Sequence, residues 1–117
     1  MEFTESTEHS LIRETVRSIG SRYGHEYYFE QARNGGKMDE LWKDLAKNGF
    51  LGANTPHKYG GEEAGISELA IVCEELARQG CPLLFLMVSP AICASILTRH
   101  GSEEQKKNGC PPWLLEK

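Results

Sequence analysis

Nothing in this sequence alternates. No stretch carries the apolar–polar period of two that marks a half-buried strand, so an all-α class is expected. Without strands there is no glycine-rich phosphate loop between a strand and a helix. His9, His25, His57 and His100 share no ligand spacing, and Cys73, Cys81, Cys93 and Cys110 show neither metal nor redox spacing. No Ser-His-Asp or Cys-His set can be built from residue order. Basic residues never cluster beyond Lys106-Lys107 in a chain of net charge −4, which argues against a nucleic-acid partner. The first residues, Met-Glu-Phe-Thr-Glu-Ser-Thr-Glu, are acidic and hold no apolar run, so no secretory leader is expected. Reduced thiols in a cytoplasmic protein follow. Repeats and low-complexity tracts are absent too. At 117 residues the chain suffices for one domain with a real core.

What is present is one uncharged stretch. Cys81 to Thr98 contains no charge, in a chain that is 26% charged. Arg99, His100 and Gly101 close it as a helix end, and Pro82 suits a first helical position. A helix apolar on every face is either a membrane span or the middle of a bundle. A span needs about 20 apolar residues, and this stretch is shorter and interrupted by Ser89, Pro90 and Ser95. It is therefore expected to be a buried central helix, kinked at Pro90, with about six helices packed around it and no membrane span.

The remaining segments read as amphipathic packaging. Ser6 caps a helix whose inward stripe is Ile12, Val16, Ile19 and Tyr23, with Arg13, Glu14 and Arg17 off that face. His25 to Asn34 forms a shorter helix stopped by Gly35-Gly36. Its Tyr27, Tyr28 and Phe29 cannot share one face, which leaves at least one for another domain or partner. Asp39 caps a third helix with Leu41, Trp42 and Leu45 inward and Gly49 at its C′ position. Gly52 to Gly65 is the longest irregular segment. Ser67 opens a fourth helix, with Ile66 and Ile71 as a hydrophobic staple. Leu69, Val72, Cys73, Leu76 and Ala77 face inward there, and Glu74-Glu75 reads as a solvated pair rather than an acid–base pair. Ser102 and Gln105 make a capping box for the last helix.

Read in order, several short strings are specific together. They are Phe3-Thr4 leading to Ser6-Thr7-Glu8-His9 and Leu11-Ile12-Arg13; Glu40 to Leu45; Gly49-Phe50-Leu51-Gly52; Pro56 to Gly61; Glu74 to Arg78; and His100 to Lys107. This order resembles the N-terminal helical domain of the acyl-CoA dehydrogenases, an orthogonal bundle, over residues 1–107. The resemblance implies α,β-dehydrogenation of acyl-CoA thioesters, a glutamate taking the α proton while FAD accepts the β hydride. The middle and C-terminal domains that carry that base and most of the flavin site are not in these 117 residues. FAD is thus implied for the full-length family, with none expected on this chain alone. The implied partners are acyl-CoA and the remaining dehydrogenase domains, and uncovered apolar surface favours self-association. The domain's own contribution is acyl-pocket wall, and matching forward from Glu75-Leu76-Ala77 places Phe85, Leu86, Ser89 and Cys93 at the lining positions. An acyl-CoA oxidase or nitroalkane oxidase relative, or a stand-alone helical interaction module, is the alternative. Residues 108–117 depart from the family's continuation and are expected to be irregular, as a change of reading frame near Lys107 would leave them.

Overall fold

The computed structural model describes residues 4–54, 58, 64–83 and 87–109. Among them there is no strand. Six helices follow one another: α1 (Thr7–Ser21), α2 (Gly24–Arg33), α3 (Asp39–Lys47), α4 (Ile66–Arg78), α5 and α6 (Glu103–Gly109), with a 3-10 turn at Phe50–Gly52. α5 starts as a π-helical stretch, Met87–Ala94, and continues as regular α-helix over Ser95–His100. Pro90 lies inside the π stretch. A residue without an N–H, whose ring crowds the carbonyl four residues back, fits the wider turn better than the i→i−4 ladder.

The core lies between α1, α3 and α4. Val16 and Ile19 meet Leu41, Leu45, Leu51, Val72, Leu76 and Cys81 in one buried cluster, with Ile12, Tyr23, Tyr27, Tyr28 and Trp42 packed on its edges. Fully burying a side chain of this size stabilises by about 1.5–3 kcal/mol. α4 is the hub, since it packs on α1, on the 3-10 turn and on α5, and its pairing with α1 is the most extensive in the fold.

That arrangement corrects the expectation for the uncharged stretch. Cys81 and Ala94 are buried, but Val88, Ile92 and Ile96 are 43, 52 and 56% exposed. α5 is a flank with one covered side, and the central helix is α4. Hydrophobicity all round states what a helix wants to bury, not whether this chain supplies the cover. The N-terminus of the stretch differs also: residues 81–83 are not helical, so Pro82 is not a first helical residue.

Caps agree in some places and differ in others. Ser6 Oγ accepts from the His9 N–H at 3.2 Å. Ser102 and Gln105 exchange both bonds of the capping box, at 2.9 and 3.2 Å. Gly49 takes φ +78° after α3, and Leu51 folds back into the core. Asp39 is the first helical residue of α3 and not its cap, which is Met38. α4 begins at Ile66, one residue before Ser67, and Ile66 is largely exposed, so no staple forms. Gly65, at φ +126°, replaces the side-chain cap. The amides of Ala64 and Gly65 both donate to the Ala53 carbonyl, at 2.7 and 3.0 Å, closing the neck of the 52–65 segment. Pro56 and Tyr59-Gly60-Gly61 of that segment, and everything after Gly109, lie outside the described residues.

Candidate site at the α4–α5 turn and the open face of α5

α4 ends in a turn that is fixed from three directions. Gly80 adopts φ +88°, and a Cβ there would stand 2.7 Å from His25 Cβ and 3.0 Å from its backbone. The next residue returns into the core: its N–H donates to the Leu76 carbonyl at 2.9 Å and the Cys81 thiol to the Gly24 carbonyl at 3.1 Å. Burial pushes the Cys73 and Cys81 thiols up from their ordinary value, which keeps both protonated and unreactive. The turn is thereby locked to the α1–α2 junction.

The framework behind the turn is an ionic seam between α1 and α4. His9 lies 3.0 Å from Glu68, Arg13 spans Glu5 and Glu74 at 2.5 and 2.9 Å, and Arg17 reaches Glu75 at 3.1 Å. The bond to His9 holds the Glu68 carboxyl below its ordinary value, and the bond to Arg13 does the same for Glu5. The Glu75 side chain is fully buried, which overturns the solvated reading for Glu75, while Glu74 is exposed as expected. Its Oε1 takes both Arg17 bonds, while Oε2 has only Arg78 at 3.8 Å. The sequence hid this because Arg17 also reads as surface; only the long reach of its guanidinium shows that both belong to the interface. From the α1–α2 turn, the Tyr23 hydroxyl donates to the Asp44 carboxylate of α3, and burial plus that bond raise its pKa to about 12.

Of the four expected pocket residues, Phe85 and Leu86 lie outside the described residues. Ser89 falls in the π stretch, with its side chain not described, and Cys93 is exposed and free. Sequence reasoning missed the neighbours of Cys93: Val88, Ile92 and Ile96, spaced by four, form an exposed aliphatic stripe. The stripe runs into an open groove of about 610 Å³ between the end of α5 and α6, lined by Ile96, Leu97, His100, Glu104 and Asn108 among others. On the buried side Asn54 donates to Ser95 Oγ at 2.9 Å and ties α5 to the 3-10 turn region. Among the described residues, Val88, Ile92 and Ile96 with Cys93 give the open face aliphatic carbon and one thiol. It fits an apolar tail and does not fit the phosphates of a dinucleotide. No group of three metal-ligating side chains occurs among the described residues, nor does any of their helices have the length and apolarity to cross a membrane.

Known proteins place this geometry in a family. Residues 6–116 match the acyl-CoA dehydrogenase N-terminal domain. The chain is 46% identical over 109 residues to the acyl-CoA dehydrogenase FadE12 of Mycobacterium tuberculosis, covering 93% of this chain and 28% of that protein. It is 32% identical over 106 residues to the mitochondrial long-chain specific acyl-CoA dehydrogenase of Sus scrofa, covering 91% of this chain and 25% of that one. An acyl-CoA dehydrogenase from Geobacillus kaustophilus has the same fold, with a TM-score of 0.85 at 24% identity, over 99% of this chain and 30% of that one. The chain thus spans under a third of the length of these relatives. An all-helical bundle with these caps, this turn and this match belongs to the acyl-CoA dehydrogenase family, as its N-terminal domain.

Proposed function

We propose that this chain supplies part of the acyl-pocket wall of a flavin-dependent acyl-CoA dehydrogenase, with Phe85, Leu86, Ser89 and Cys93 facing the acyl tail. The observation that carries the reading is the open aliphatic face of α5 beside Cys93, in a chain spanning 28% of a 46%-identical dehydrogenase. When bound in such an enzyme, FAD supplies the hydride-accepting chemistry. Neither flavin binding nor the catalytic base is assigned to this chain. Its own work is to exclude water from the tail and to limit the tail's length. The acyl-CoA and the remaining dehydrogenase domains are its partners, and self-association occurs through whatever apolar face stays open. Free Cys73, Cys81 and Cys93 support a reducing, cytoplasmic setting.

Alone, the purified chain is expected to stay colourless after flavin addition and dialysis, and to leave acyl-CoA unoxidised. The direct test replaces the matching segment of the mycobacterial relative with residues 1–107 of this chain and assays acyl-CoA-dependent dye reduction across chain lengths. Cys93→Trp in that chimera should shift preference towards shorter acyl groups. An active chimera whose chain-length profile ignores Cys93→Trp would remove Cys93 from the pocket.

A further inference from the structure

We infer that Asn54 and Ser95 are a positioning pair, whose hydrogen bond sets the roll of α5 and thereby which aliphatic side chains an acyl tail meets. The part in specificity rests on the pocket reading; the bond and its hold on α5 do not. Asn54 follows directly on a fixed point. Ala53 is buried, and its carbonyl takes the amides of both Ala64 and Gly65, at 2.7 and 3.0 Å. The same neck leads through Gly65 into α4. From there the Asn54 side-chain amide reaches across 41 residues of sequence to Ser95 Oγ, at 2.9 Å in a part-buried position.

The apolar contacts of α5 leave its roll loosely specified. Among its described side chains only that of Ala94 is buried, and burial of a methyl has no preferred direction. Among the described residues, Thr98 Oγ1, one turn along from Ala94, is buried without a partner and gives no second polar tie. A hydrogen bond does have a direction, and it weakens steeply when donor and acceptor turn out of line. Neighbouring residues of an α-helix point about 100° apart. Ser95 therefore stands on the border between Ala94, which is covered, and Ile96, which is 56% exposed. A bond at that border fixes where the covered side ends and where the stripe of Ile92 and Ile96 begins.

Two measurements test the pair. In the full chain, Ser95→Ala and Asn54→Leu should each change the iodoacetamide rate of Cys93, followed on its own peptide, several-fold. The double variant should go no further than either single one, and Ser95→Thr, which keeps the hydroxyl, should match the parent. In the chimera with the mycobacterial relative, Ser95→Ala should raise KM for long acyl groups several-fold relative to short ones, with kcat held. A thiol rate that neither single substitution moves overturns the proposal. Additive effects overturn it as well, because the two residues then act separately. If Cys93→Trp shifts the chain-length profile and Ser95→Ala does not, the pair has no part in specificity and the pocket reading stands. If neither shifts it, the pocket reading fails and takes the specificity role with it.

Discussion

Glu75 and Arg17 are unequal partners. Arg17 is about half exposed and regains water when its partner is removed, whereas the Glu75 carboxylate has no exposure to regain. Arg17→Ala should therefore cost about 3 kcal/mol by leaving a buried charge poorly paired, and Glu75→Gln clearly less; urea midpoints of the two variants measure the difference. The seam also sets a pH dependence. Glu68 and Glu5 have folded values below the ordinary 4.5. A depressed carboxylate contributes stability that is present above the unfolded value and lost as pH falls through the folded one. Stability should hold down to about pH 4.5 and then decline. Glu68→Gln should flatten that decline, and an unchanged slope in urea titrations would contradict the His9 pairing. At the same scale, Cys93 should react with iodoacetamide in the native protein, while Cys73 reacts more slowly and Cys81 only on unfolding.

Turns divide into those that need glycine for φ alone and those that need it for space as well. Gly35 has φ +68° with nothing within 4 Å of a built Cβ, whereas Gly80 has φ +88° and His25 within 3.0 Å. Gly35→Ala should cost about 1 kcal/mol, the ordinary left-handed penalty. Gly80→Ala should cost clearly more, because the α4–α5 turn must then move off the α1–α2 junction. Thermal melts of the two variants compare them directly. Helix ends were readable from the sequence where a side chain makes the cap, as at Ser6 and Ser102. A glycine end was readable at Gly49, but the backbone-made start of α4 was not. Gly65 starts α4 by geometry, and the Ala53 carbonyl holds the loop neck, so Ser67 and Ile66 carried signals that the structure does not use.

Over the whole molecule, the class, the six elements, the inward stripes of α1 and α3, and Leu69, Val72 and Leu76 of α4 were legible because periodicity reports burial; Ala77, expected inward, is exposed, and Glu75 is buried in its place. The place of α5 was not. An uncharged helix buried within its own chain and one that awaits cover from elsewhere have the same composition. The candidate site was legible only by family likeness, which supplied Cys93 but not the stripe and groove beside it. The central claim is that the core is α1–α3–α4 and that α5 presents an open apolar face. It is tested most directly by denaturing Ile92→Asp and Val72→Asp side by side in this chain. Ile92 is 52% exposed and Val72 is 0% exposed. Ile92→Asp should therefore unfold within about 1 kcal/mol of the parent, and Val72→Asp should lose several kcal/mol or fail to fold. Equal and severe losses for both would show α5 to be buried and the account of its open face to be wrong.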